Sequence, residues 1–160
     1  MRDDTLPLMA YSTAEARQDL LDAVADAIED LAQALAALGA AYELLDEHKA
    51  DELEETLFGP VQVAYGRARR THAEFAARHG LPGRTFTTPL PGAPSTGLKG
   101  FIDDAVAAVA SADATLVTLQ DSMMPIEVGD AQLRAGLANV RELVADVPQR
   151  ARALTRTIGR

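Results

Sequence analysis

The stretch LDAVADAIEDLAQALAALGAAYELL, residues 21–45, decides the fold. Its large apolar residues, Leu21, Val24, Ile28, Leu31, Leu35, Leu38, Tyr42 and Leu45, alternate three and four positions apart. An α-helix turns once in about 3.6 residues, so this alternation draws one apolar stripe along one helical face, whereas a strand repeats every two. The same alternation returns in Leu98, Ile102, Ala105, Val109, Ala112, Leu116, Leu119 and Met123. It returns again in Leu133, Leu137, Val140, Val144, Val147, Ala151, Leu154 and Ile158. Three heptad seams imply left-handed packing at shallow crossing angles. The positions flanking the first seam, Ala25, Ala27, Ala32, Ala34, Gly39 and Ala41, are small and uncharged. They predict a helix pressed on a broad face by two neighbours, without the salt bridges of a two-stranded coiled coil.

Local signals divide the chain into four helices at about 12–48, 51–79, 97–124 and 130–158. Ser12 and Glu15 have capping-box spacing, which predicts the first start. Asp51, Glu52, Glu54 and Glu55 crowd the first turn of the second helix with the charge its dipole favours. Gly59-Pro60 predicts a kink or a reset in that helix, because Pro60 has no amide to donate. Gly80 before Leu81-Pro82 predicts a left-handed C-cap. The third helix is expected to end at Pro125. The fourth opens at Asp130, an N-cap, and closes at Gly159; its seam keeps register across Pro148, which predicts a kink and not a break.

The first and third connections are short, which makes the helices they join antiparallel neighbours. The middle segment, 80–96, contains Pro82, Pro89, Pro91 and Pro94. In a polyproline-like conformation of ~3.1 Å per residue its sixteen residues from Leu81 reach ~50 Å, and a 28-residue helix is ~42 Å long. It can therefore cross the full length of the domain. The expected fold is all-α: an antiparallel four-helix bundle of two helical hairpins joined by a long Pro-rich crossover. In this connectivity the chain resembles the ferritin-like superfamily over almost its whole length. That superfamily carries Glu-x-x-His pairs and further glutamates pointing inward. Here the residues three before His48, His72 and His79 are Leu45, Arg69 and Ala76, so the resemblance brings no di-iron ligands with it.

Composition narrows the function classes. With 160 residues and 48% apolar content the chain fits one domain with a continuous core. A formal charge of −9 makes nucleic acid and anionic membranes poor partners. The absence of cysteine removes disulfides, thiolate nucleophiles and iron–sulfur clusters. Acids at Asp3 and Asp4 and a short apolar run from Leu6 to Ala10 do not read as a signal peptide, and no run approaches the roughly 18 to 20 apolar residues of a membrane span. A cytoplasmic protein without a cofactor is expected.

Within the second helix the inner face is chemically mixed. One register, Val61, Tyr65, Ala68, His72, Phe75 and His79, puts Tyr65, His72 and His79 on the seam as a candidate ligand pocket, with Met123 or Met124 as a soft second ligand. Another, Val61, Ala64, Ala68, Thr71 and Phe75, turns both histidines to the boundary. Neither histidine is expected to gain an acidic partner from the first helix. Asp22, Asp26 and Asp30 form a ladder that either gathers a hard cation or is a solvated face. Arg67, Arg69 and Arg70 form a basic patch suited to anions, or to the acids of the first helix, where nine acids stand against Arg17 alone between Ser12 and Glu47.

The outside of the third helix departs most from a normal surface. From Ala105 to Leu119 its one charge is Asp113, and Ala107, Ala110, Ala114 and Val117 fall where a surface helix is normally polar. Either the crossover and an N-terminal arm (Leu6, Leu8, Met9, Tyr11) cover this face, or a second copy does. The sequence therefore points to a non-catalytic helical-bundle protein acting through self-assembly, as a homodimer, or through another protein. The alternative is a ferritin-like protein holding a metal or small ligand near the polar seam of the second helix.

Overall fold

The periodicity of residues 21–45 becomes part of one α-helix, α1, from Thr5 to Glu43, in a computed structural model that describes residues 5–91 and 97–158, with side chains from Thr13 onward. The chain is all-helical, with no strand among the described residues. After α1 come α2 (Glu47–Leu53), a π-helical turn (Glu54–Phe58), α3 (Gly59–Arg78), α4 (Gly97–Asp121), α5 (Met124–Glu127), α6 (Ala131–Val144) and α7 (Val147–Ile158). None of these helices is long and apolar enough to cross a membrane.

Several boundaries differ from the sequence expectation. Ser12 does not start the first helix but lies inside α1, because Pro7 falls in the first turn from Thr5, where a missing amide leaves no intrahelical bond unmade. Leu6, Leu8, Met9 and Tyr11 thus belong to α1, and their side chains lie outside the described part. At the other end α1 stops at Glu43 and not near His48. Asp46 is the reason: its carboxylate accepts the Lys49 amide at 2.9 Å and caps α2 four residues before the expected start.

Pro60 produces neither a simple kink nor a reset. The Gly59 amide reaches back five residues to the Glu54 carbonyl, which gives the π turn. Pro60 leaves the Thr56 carbonyl without its usual donor four residues on, and Arg150 Nη1 donates to that oxygen at 3.4 Å. Thr56 Oγ1 in turn donates to the Glu52 carbonyl at 2.7 Å. α3 ends as predicted, with Gly80 at φ 66°, its amide on Ala77 and the Leu81 amide on Ala76. These two bonds make a Schellman motif and satisfy two of the last carbonyls of α3.

Pro125 does not terminate the third helix. α4 ends at Asp121, Met123 takes φ 69°, and Pro125 stands in the first turn of α5, where its fixed φ suits a helix start. Asp130 caps α6, as predicted, by accepting the Leu133 amide at 2.8 Å. Pro148 breaks the last helix at Ala145 and Asp146, contrary to the expected kink, yet Val144, Val147, Ala151 and Leu154 remain buried on one stripe. Gly159 lies outside the described residues.

Packing follows the seams. α1 and α4 run in opposite directions: Arg17 Nε donates at 3.0 Å to the Val128 carbonyl, just beyond the α5 turn that follows α4, and Ser111 Oγ donates to Asp30 at 2.8 Å midway. α3 and α6 are likewise antiparallel, with Arg78 on Asp130 at one end. Ala25, Ala27, Ala32, Ala34 and Ala41 are buried, so α1 is enclosed on the broad face its small residues predicted. Neither register proposed for the second helix holds alone: Val61, Ala64, Tyr65, Ala68, Thr71, His72 and Phe75 are all buried, so His72 sits on the seam as the first register has it, while His79 is half-buried at the boundary as the second has it. From Arg84 to Pro89 the linker lies against Glu29, Ala32 and Gln33 of α1, and Phe86 meets His72 of α3. These linker residues cover the α1–α3 side and not the back of α4.

α3 and α6 approach closely at Gly136. A Cβ there would lie 2.2 Å from Thr71 Oγ1 and 2.7 Å from its Cγ2. Thr71 is fixed by a 2.8 Å bond from Oγ1 to the Arg67 carbonyl. Overpacking of about 1–3 kcal/mol therefore exceeds the ~1 kcal/mol of helix propensity that Gly136→Ala gains. Urea unfolding should show Gly136→Ala destabilised, and Thr71→Ala added to it should recover part of the loss. Equal stability of Gly136→Ala and wild type would contradict the contact.

Candidate functional site

The three polar rings of α3 stand seven residues apart, about 10 Å of helix rise per interval, and each has its own surroundings. Tyr65 is buried with the Arg69 guanidinium 4.6 Å above its ring. His72 is only 3% exposed, meets Phe86 edge-on at 5.4 Å between centroids, and its Nδ1 has no hydrogen-bond partner. His79 is half-buried against Phe75 at the end of α3, and its Nε2 lies 2.9 Å from Asp130 Oδ2. His79 does gain an acidic partner, from the start of α6 and not from α1. The side chains do not converge on one centre: His79 is engaged by Asp130, while Met124 lines the groove between α1 and α4 and Met123 is exposed.

Burial pushes the His72 imidazole below its ordinary value of 6.5, Arg84 lowers it further, and Asp22 opposes both. The ring is therefore neutral at pH 7. A neutral imidazole offers one donor and one acceptor, and Nδ1 meets neither kind of partner here.

Asp22, Asp26 and Asp30 do not gather at one point. Asp22 accepts from Gln18 at 2.9 Å and Asp30 from Ser111 at 2.8 Å. Among the described residues no three His, Asp or Glu side chains come together as a metal-binding group.

The basic patch also differs from the expected pairing. Arg67, Arg69 and Arg70 make no ion pair with the acids of α1 or any other described residue. The acid of α1 that does pair is Glu29, and its partner is Arg84 from the linker. Arg69 and Arg70 form one wall of a groove of about 440 Å³, closed on the other side by Arg84, Thr85 and Phe86. Arg84 is not legible as part of this patch from the sequence, because it lies 14 residues beyond Arg70, across a chain reversal; its place beside Phe86 in a Pro-rich segment is the available signal.

On the opposite side, Ala107, Ala110 and Ala114 of α4 are exposed, while Val117 is half-buried. Beside them, Ala23 of α1 and Ser111, Thr115 and Leu119 of α4 line a shallow groove. Just past the end of α4, Met123 and Ile126 are 47% and 60% exposed. Met123 had been expected to continue the buried seam; its left-handed backbone turns the chain first. The one charge in the middle of α4, Asp113, is bound by Arg141 Nε at 2.9 Å.

The depressed His72 pKa fixes a pH dependence. The unfolded chain takes up a proton near pH 6.5 and the folded chain only at lower pH, so stability is full above 6.5 and falls as pH drops below it. His72→Leu should remove this contribution to the slope. At pH 7.5 the variant should be as stable as wild type or more so, since an unpaired buried nitrogen is replaced by apolar volume. Urea midpoints measured from pH 7.5 to about pH 5 test both points, and an unchanged slope in the variant would refute the assignment. Comparisons of the chain with protein-family models, with curated proteins and with solved structures find no match.

Proposed function

We propose that this chain is an antiparallel four-helix bundle of ferritin-like connectivity, in which two helical hairpins are joined by the Pro-rich crossover. On this reading α5 is part of the connection and α6 and α7 form one interrupted helix. Pairwise directions support it: α1 opposes α4, and α3 opposes α6. The bundle is a non-catalytic protein of the cytoplasm that works by assembly, two copies meeting through the outer face of α4.

The observation that carries the assembly reading is the surface of α4 itself. Ala107, Ala110, Ser111, Ala114 and Thr118 are exposed over ~17 Å of helix, with no side chain longer than threonine. Small side chains let a second helix approach closely and bring little rotamer entropy to be lost. Asp113 is already neutralised by Arg141, so contact there leaves no free charge to bury. Just past the end of α4, Met123 and Ile126 add exposed apolar surface, which suits an interface. The competing assignment, a metal or small ligand on the Tyr65, His72 and His79 seam, draws its support from the unpartnered Nδ1 of His72.

Sedimentation equilibrium at micromolar concentration should give twice the chain mass of 17.0 kDa. Ala114→Glu should weaken the dimer at least about tenfold, because two like charges then face each other, and leave the helical circular dichroism unchanged. A wild-type chain that stays at 17.0 kDa removes the homodimer. Stoichiometric iron or zinc in protein purified without chelator would favour the competing assignment instead.

A further inference from the structure

Guanidinium groups in this protein divide into engaged and unengaged ones, and among the described residues Arg67, Arg152 and Arg156 are in the second group. Arg17 and Arg134 donate to carbonyls, Arg78 holds Asp130, Arg141 holds Asp113, and Arg150 reaches Thr56 and Asp146. Arg69 and Arg70 make no ion pair among the described residues, although the chain carries 24 acids. Across from them Arg84 uses Nη2 on Glu29, which anchors the linker, and Arg84 also lines the groove.

Carboxylates distinguish this groove from the others. Asp103 stands in the groove between α4 and α7, Glu29 in the one between α1 and the linker, and Asp19 in the one between α1 and α4. The groove of Arg69, Arg70 and Arg84 has no acidic residue in its lining. Arg69 and Arg70 put two unpaired positive charges in one concave surface beside the Arg84–Glu29 pair, and such a surface draws an anion. Thr85 adds a hydroxyl to the same wall. Phe86 forms the end of the groove and lies against His72, whose Nδ1 is buried without a partner.

We propose that this groove binds a phosphate group, free or as the monoester of a small molecule, between Arg69 and Arg70 of α3 and Arg84 and Thr85 of the linker. Tetrahedral oxyanions accept paired N–H bonds from planar guanidinium forks, and two or three such forks neutralise a dianion. The volume of about 440 Å³ exceeds what one phosphate fills and leaves room beside Phe86 for the rest of an ester. This binding is independent of the α4 face and of any dimer formed there.

Isothermal titration of the full chain with inorganic phosphate and with phenyl phosphate, at matched ionic strength, tests the inference. Saturable binding of at least one is expected. Tighter binding of phenyl phosphate assigns the seat to an ester, and equal or tighter binding of inorganic phosphate assigns it to the free ion. The Arg69→Ala/Arg70→Ala variant should weaken binding at least about tenfold, while Arg152→Ala/Arg156→Ala, in the groove that holds Asp103, should leave it within about twofold. Circular dichroism of each variant checks its fold, and amide resonances of Gly66, Thr85 and Phe86 should shift on phosphate addition to wild type. No saturable binding of either probe, or equal losses in the two variants, would overturn the proposal.

Discussion

Asp130 joins two parts of the chain that would otherwise be free to slide. Its Oδ2 accepts from Arg78 Nε at 2.8 Å and lies 2.9 Å from His79 Nε2, while Oδ1 accepts from Arg78 Nη2 and from the Leu133 amide. Burial alone would raise this carboxyl, but hydrogen bonds from Arg78, the Leu133 amide and His79 outweigh it and hold it well below the usual carboxylate range. One side chain thus caps α6 and clamps the end of α3 to it. The clamp lies beside the Schellman turn at Gly80, so the linker departs from a fixed point. Everything from Arg84 to Pro89 depends on that departure, including the ion pair with Glu29 and the seating of Phe86 on His72.

Three prolines show how one chemical deficit is met by different means. At Pro60 the missing amide is accommodated by a π turn, and the freed Thr56 carbonyl is reached from another helix by Arg150. At Pro125 it falls in the first turn of α5, where no intrahelical bond is lost. At Pro148 the ladder is interrupted: the Ala145 amide reaches only three residues back, and Arg150 resumes the four-residue spacing on Asp146. The last solution preserves the apolar stripe, since Ala145 keeps helical dihedrals across the break and Val144, Val147, Ala151 and Leu154 stay buried. Core burial can be continuous where backbone hydrogen bonding is not.

Much of the fold was legible in the sequence because the period of a helical seam is a property of single segments. The eight-residue stripes of the first, third and fourth helices are buried over most of their length. Gly80 and Asp130 were legible too, since a C-cap and an N-cap act on their own neighbourhoods. What could not be read was long-range competition for the same residue. The two registers of the second helix looked exclusive, yet α3 is packed over a width that buries His72 with the first and Thr71 with the second, and leaves His79 at the boundary. Arg84 and Glu29 are 55 positions apart, and no local pattern marks them as a pair. The basic patch was visible in Arg69 and Arg70, but its third wall was not.

The route of the linker makes the two sides of the protein chemically unlike. Residues 84–89 shield α1 and α3, so that side gains arginine, threonine and an aromatic ring along a furrow. The outer face of α4 receives no such cover from these residues and keeps its alanines in solvent. A charged furrow favours a small anion, because a few fixed forks can satisfy it without burying much area. A smooth, neutral helix face favours another helix, because close approach over length is the interaction it can offer. Since the two surfaces lie on different helix pairs, occupation of one does not require the other to be vacant, and loss of Arg69 or Arg70 should leave the behaviour of the α4 face untouched.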